Sequence, residues 1–384
     1  MLNKVYIDSD VYTEAKKRIR YCMKKFDNIL VCFSGGKDSL ALLSLVEEVY
    51  QEDGIKEKIK VVFRDEEVIP DDVLKFVQEK AESGKYDFRY YAIPLESNKF
   101  VLGKTERYVQ WDRNRKWLRQ PPPYAIRLKD DEYKEYSQYT ADDFICKDLK
   151  GTVGMLNGVR ADESLLRLAG LCAKKVENYI SANSKKIYIV KPIYDWSEQD
   201  IFLYFYKKNI KYCVIYDMQT LNGDTLRVST PLHSESAKKF HKLKTLYPMF
   251  YQQLCDLFPD MLLQSRYYKE YGTTAKNLED YEKSFDGIRQ WCEDNLDDEH
   301  QRELAINVVN KAERTRTNNI AKGKGRNYGG YPLLYVFQTI LGGGYKRGSI
   351  MPLKDPAPAH IIYEQEAVME ARKREKEQAE NLQI

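Results

Sequence analysis

The chain has 384 residues, 43% of them hydrophobic and 31% charged, with a net charge of +4. That length and polarity suit two domains of ordinary size with buried cores. No run of about 18 apolar residues exists to cross a membrane. The opening MLNKVYIDSDVY lacks the apolar core of a secretory signal, so the expected compartment is the cytoplasm. The seven cysteines, at positions 22, 32, 146, 172, 213, 255 and 292, form no C-x-x-C pair. They read as small buried hydrophobes in a reducing compartment, not as a disulfide framework or a metal cluster.

In chain order, residues 9–26 read as an amphipathic helix capped by Ser9 or Asp10, with Val11, Ala15, Ile19 and Met23 on one face. Residues 28–33 (NILVCF) are a short apolar run, the pattern of a buried strand. Residues 38–50 read as a helix with apolar residues on more than one face, hence packed deep against a sheet. Strands follow at 59–63, 88–93, 153–159 and 187–190, alternating with helices at 70–81, 161–180 and 197–207. This alternation predicts an α/β fold with a doubly wound, mostly parallel five-stranded sheet over residues 1–230. Residues 231–384 carry no strand pattern and read as a mainly helical C-terminal domain. That domain includes a basic glycine-rich loop at 321–331 and a charged helix at 364–380.

Charge is unevenly spread. From Lys104 to Lys129 there are eight Lys or Arg against two acids, and from Lys311 to Arg347 eight against one. Such blocks suit a phosphate polymer, or else are solvated loops balanced by acidic patches nearby. In the first block Trp111, Trp117 and Tyr124 interleave with Arg113, Arg115, Lys116 and Arg119. Three uses stay open for it: a surface for single-stranded nucleic acid or a base, a lid over a nucleotide, or packing beneath a long loop.

The motif richest in chemistry is Ser34-Gly35-Gly36-Lys37-Asp38-Ser39, set between the first strand and its helix. Two glycines allow a tight turn and close approach to an oxyanion. The helix start presents N–H groups and a positive dipole end. Ser34 and Ser39 add hydroxyls, Lys37 adds a charge, and Asp38 suits Mg²⁺ or the orientation of a neighbour. The spacing differs from the G-x-x-x-x-G-K-[ST] phosphate loop. Asp65, Glu66 and Glu67 follow the second strand, at the edge where an open sheet binds ligands. They face a ribose, a metal or a substrate group, or cap a solvated turn. Arg160 and Arg167 follow the fourth strand two helical turns apart, with Glu163 placed to pair with Arg167 at i, i+4. They clamp phosphate or sulfate oxygens, or form an ordinary helix ion pair. The segment from Asp195 to Asp200 reads as structural, with Ser197 and Asp200 forming a capping box. The four histidines show no catalytic or metal spacing.

The sequence resembles the PP-loop adenine-nucleotide α-hydrolases, and within them the phosphoadenosine phosphosulfate (PAPS) reductase family. Four matches carry the resemblance over about residues 28–230: FSGGKDS at 33–39, VVFRDEEVIPDD at 61–72, NGVRADESLLR at 157–167 and PIYDWSEQDIFLY at 192–204. The segment YVQWDRNRKWLRQPPP at 108–123 resembles a reductase-like subgroup that includes the immunoglobulin-binding-regulator A proteins. The resemblance implies binding of ATP with Mg²⁺, cleavage between the α- and β-phosphates, and adenylylation of an acceptor. It places Ser34, Gly35, Gly36, Lys37, Asp38, Ser39, Asp65 and Glu66 at the nucleotide, with Asp38 on the metal. Lys37, Asp38, Arg160 and Arg167 are the catalytic candidates. A sulfonucleotide reductase, an alternative, carries a cysteine near its C-terminus, whereas the last one here is Cys292. A second alternative is a nucleotide-binding regulator without turnover that acts with a protein partner. A ParB-like protein is the kind the resemblance suggests. Nucleic acid is the favoured acceptor, through the two basic blocks.

Overall fold

The computed structural model describes residues 7–172, 176–224, 226–274, 281–296, 298–324 and 328–353. They fall into two compact units, Ile7–Tyr268 and the residues from Lys269 onward.

The first unit begins with α1 (Val11–Lys25), whose start is capped by the Asp10 side chain accepting from Thr13 N–H. The sheet elements are β1 (Asn28–Cys32), β2 (Ile59–Arg64), β3 (Tyr86–Tyr91), β6 (Val153–Asn157), β7 (Ile180–Ala182) and β8 (Ile187–Val190). A separate antiparallel hairpin is made by β4 (Leu95–Val101) and β5 (Lys104–Gln110). Between them run α2 (Lys37–Glu52), α3 (Asp71–Glu82), α4 (Gln138–Ile145), α5 (Leu165–Cys172), α6 (Glu198–Lys208) and α7 (Ile215–Leu221).

The main sheet has the order β3-β2-β1-β6-β8-β7. All its pairings are parallel except β7 against β8. Alternate residues along β1 and β2 serve opposite faces. Val31, Val61 and Phe63 join a core with α1, α2 and α6, while Leu30 and Val62 join a second with α4. Covering both faces is what makes such strands continuously apolar. The depth expected of α2 is present: Leu40 to Val46 are buried without a break. At α6, Ser197 and Asp200 form the expected capping box.

Two expectations are corrected and one open alternative is narrowed. The sheet has six strands rather than five. The sixth, β7, is only three residues long, too short to show periodicity, and exists because it pairs along β8. The expected helix over 161–180 is interrupted. A 3-10 turn at Ala161–Glu163 ends in extended Ser164, and only then does α5 begin. The block from Lys104 is not all loop, since β5 runs from Lys104 to Gln110. Its hairpin turn is Leu102-Gly103, both at positive φ. Leucine there is an unusual occupant, which hides the turn from sequence.

Residues beyond α7, which include α8 (Ser234–Ala237), α9 (Leu243–Leu246), α10 (Pro248–Leu257) and α11 (Met261–Thr274), also serve the hairpin. Leu232, Phe240, Phe250, Leu254 and Phe258 pack with Val101 and Tyr108. The second unit is helical in its described residues: α12 (Phe285–Asn295), α13 (Glu299–Ala321) and α14 (Leu333–Leu341) enclose Ile288, Trp291, Val309, Val336 and Phe337. The expected charged helix at 364–380 lies outside the described residues, as do residues 325–327 of the glycine-rich loop.

Candidate nucleotide-binding site

Strand order reverses between β1 and β6. The chain leaves β1 towards β2 and leaves β6 towards β8, so their following loops part and open a crevice at the carboxyl edge. Residues 34–39 occupy that position after β1. Gly35 has φ +76, and a Cβ there would lie 2.9 Å from Val73 and Val77 of α3. The first glycine therefore serves both turn and packing. Gly158, just past β6, lies so close to the start of α2 that a Cβ would sit 2.7 Å from the Asp38 carbonyl carbon.

Polar groups converge on this loop. Lys37 is buried, and its Nζ donates to Asp38 Oδ2 and to the Leu226 carbonyl, each at 3.1 Å. Glu198 at the start of α6 is 3.4 Å from the same nitrogen. Arg160, 3% exposed, donates from Nε to Asp38 Oδ1 at 2.5 Å and from Nη1 to Asp162 at 2.6 Å. Ser39 Oγ accepts from Ser34 N–H and lies 3.0 Å from Ser34 Oγ. The N–H of Lys37, at the first turn of α2, donates to the Tyr216 hydroxyl at 2.7 Å. Burial raises the pKa of that phenol, so it stays protonated. Two cationic side chains, a helix start and three hydroxyls thus gather about this loop. That is an arrangement able to hold an anion of several oxygens.

The donor set fits a protein-held Mg²⁺ poorly. Both Asp38 oxygens already accept from Arg160 and Lys37. Among the described residues no group of three His, Cys, Asp or Glu converges as a metal site. Asp38 in this arrangement anchors two cations.

Arg160 and Arg167 are linked, but not as neighbours on one helix. Glu163 accepts from Arg160 N–H at 3.0 Å and pairs with Arg167 at i, i+4. Arg160 itself is extended, ahead of α5.

The acids after β2 divide into different roles. Asp65 is fully buried and saturated: it accepts from Arg119 at 2.5 Å, the Tyr90 hydroxyl at 2.6 Å and Glu67 N–H at 2.9 Å. Burial works against the Arg119 charge, yet Asp65 outweighs it and the guanidinium pKa is raised. Glu67, also fully buried and at φ +63, accepts from Arg115 at 2.7 Å, Trp111 N–H at 2.7 Å and Leu118 N–H at 3.1 Å. These carboxylates bind the 111–119 segment to the sheet edge. Of the three uses open for that segment, packing accounts for Trp111, Arg115 and Arg119. Glu66 is half-buried and accepts from Thr230 N–H at 3.3 Å.

Sequence reasoning missed Tyr216, Glu198 and the Leu226 carbonyl. The chain has 30 tyrosines, and no spacing singles out this one. Gly158 had a signal, a glycine immediately after a strand at the ligand edge.

A mainly parallel sheet with a glycine-rich loop at its switch point is the architecture of a nucleotide-binding α/β fold. The chain belongs to the phosphoadenosine phosphosulfate reductase domain family, whose model matches residues 28–254. It is 26% identical over 239 residues to the uncharacterized protein YbdN of Escherichia coli (strain K12). That match covers 58% of this chain and 58% of YbdN, so the chain spans less than two thirds of that relative. Among solved structures, Candida glabrata FMN adenylyltransferase in complex with FMN and the ATP analog AMPCPP is 16% identical, with a TM-score of 0.37. It covers 56% of this chain and 64% of that one. Candida auris PAPS reductase, a phosphate complex, is 12% identical with a TM-score of 0.32, over 59% of this chain and 100% of that one. The Methanococcus maripaludis U34-tRNA thiolase NcsA, with its [4Fe-4S] cluster, is 13% identical with a TM-score of 0.30, over 68% and 79%. At such scores these likenesses carry no inference about chemistry. Among the described residues no helix is long and apolar enough to cross a membrane.

Proposed function

We propose that this protein binds ATP at residues 34–39 and transfers its adenylyl group to an acceptor, releasing pyrophosphate. The carrying observation is the convergence of the α2 start, Lys37 and Arg160 on the loop at the switch point. Ser34, Gly35, Gly36, Lys37 and Ser39 hold the β,γ end. The acceptor's oxygen attacks the α-phosphorus. The bond from that phosphorus to the bridging α,β-oxygen breaks, pyrophosphate carries off the electron pair, and the acceptor proton passes to solvent. Arg160 and Arg167 neutralise charge on the α-phosphate or acceptor. Glu66 is the nearer candidate for contact with the nucleoside, while Asp65 acts by holding the 111–119 segment. Mg²⁺ would arrive on the triphosphate, and none of these steps is assigned to it.

The test is pyrophosphate release from ATP and Mg²⁺ in the presence of nucleic acid, protein or sulfur-donor acceptors. Release that disappears in Lys37→Ala and Ser34→Ala supports the reading. Intact ATP recovered from a tight complex under every condition would instead establish the regulator. The reductase reading is weakened by the thiols, since burial raises six of the seven.

A further inference from the structure

We infer that the second half of α13 is a binding surface for the phosphodiester backbone of a nucleic acid. The helix is polarised in sequence. From residue 307 to its end and the following turn it exposes Lys311, Arg314, Lys322 and Lys324 against Glu313 alone, while Arg316 is turned to the Tyr331 carbonyl at 3.0 Å. Glu313 is engaged by Arg289 at 2.7 Å, so it does not neutralise that run. A cleft of about 490 Å³ opens on this helix, with Leu304 and Val308 at its apolar base. Asn307, Asn310, Lys311 and Arg314 line the rest, and Gly348 closes it. No carboxylate lines it.

The polar atoms here are only lightly committed. Lys311 Nζ donates to the Gly348 carbonyl at 3.0 Å, and Asn310 Oδ1 accepts from Arg289 at 3.0 Å. Among the described residues neither Lys311 nor Arg314 forms an ion pair. Both are exposed, as are Lys322, Lys324, Lys346 and Arg347. Lys311 and Lys322 are eleven residues apart, three turns along one face, and so roughly 16 Å apart along the axis. That is the length of about five base steps.

The chemistry selects the partner. Lys and Arg supply charge, and Asn side chains donate to phosphate oxygens, the residue types that grip a nucleic-acid backbone. No aromatic lines the cleft for a base to stack on. The surface therefore reads the backbone rather than sequence. A free nucleotide needs one compact site, whereas cations strung along three turns match a repeating anion. The inference does not rest on the adenylyl-transfer reading, because the binding is measured without ATP.

The experiment uses the full chain and a fluorescent duplex DNA of about 20 base pairs, read by anisotropy across a salt series from about 50 to 200 mM. Single-stranded DNA, RNA and polyglutamate of equal charge are the competing arms. Lys311→Glu with Arg314→Glu should weaken binding tenfold or more and lower the salt slope by about 1.8, from 0.9 per lost phosphate contact. Lys311→Gln with Arg314→Gln should give the same direction with a smaller loss. Unchanged far-ultraviolet dichroism shows that the variants fold. Unchanged affinity in both variants would overturn the inference, and so would polyglutamate competing as well as nucleic acid. Failure of pyrophosphate release would leave it standing.

Discussion

The backbone N–H of Lys37 donates to the hydroxyl of Tyr216 at 2.7 Å, across 179 positions of sequence. The phenol caps α2 from α7, at the N–H that the proposed function gives to a phosphate oxygen. Tyr216→Phe removes that partner and frees the amide. The ligand-free protein should lose about 1 kcal/mol of stability, the usual worth of one hydrogen bond. ATP should bind more tightly, because the N–H no longer has to exchange partners. Calorimetry with ATP and a urea titration check both halves. Weaker ATP binding would make the phenol a ligand contact rather than a stand-in.

Buried Arg160 pairs with half-buried Asp38 at the crevice, and the Asp38 carboxylate also receives Lys37. Arg160→Gln removes one charge and leaves part of the other uncompensated, which should cost about 3 kcal/mol. Asp38→Asn on that background should cost much less than it does alone. A double-mutant cycle measured by urea unfolding would return a coupling of roughly 1–3 kcal/mol. Additive costs would mean the pair is not coupled.

Gly158→Ala tests the close approach of two loops. The new methyl would meet the Asp38 carbonyl and the Ser39 nitrogen at 2.7 to 2.8 Å, and these are backbone atoms that cannot swing aside. Overpacking of this kind should cost about 1–3 kcal/mol. The displaced helix start should also lose nucleotide affinity. A thermal melt and an ATP titration should therefore both respond, whereas a melt unchanged within error would mean the loops part freely.

Burial pushes Cys22, Cys32 and Cys292 up to about 12 and Cys146 and Cys213 up to about 11, from an ordinary value near 9. The folded state holds these protons more firmly than the unfolded state does. Their contribution is complete below about pH 9 and is lost as pH rises through 11 to 12. The urea midpoint should fall across that window. At pH 8 these five thiols should alkylate slowly in native protein and rapidly once unfolded, as mass spectrometry of iodoacetamide adducts would report. Rapid native labelling of any one would expose a reactive cysteine.

Holding Asp65 and Glu67 in the interior depends on the segment 111–119. Asp65→Asn keeps the shape but leaves Arg119 without its counter-charge, so it should destabilise by about 3 kcal/mol. The control is Asp65→Asn with Arg119→Leu, which removes both charges and should recover part of that loss. Equal midpoints for the single and double variants would show that the pair does not hold this segment in place.

Sequence alone determined the alternating strands and helices, the depth of α2, the capping box at Ser197 and the glycine-rich turn between β1 and α2. Each follows from interactions between residues close together in the chain: apolar period, helix-start chemistry and a glycine turn. The tertiary structure alone decided the remainder. It made β7 a strand by giving it β8 to pair with, and it turned Asp65 and Glu67 inward to arginines about 50 positions away. It brought Tyr216, Glu198 and the Leu226 carbonyl to the loop. Those choices depend on partners that only folding brings within hydrogen-bonding distance, and a buried charge takes its role from whichever partner it meets.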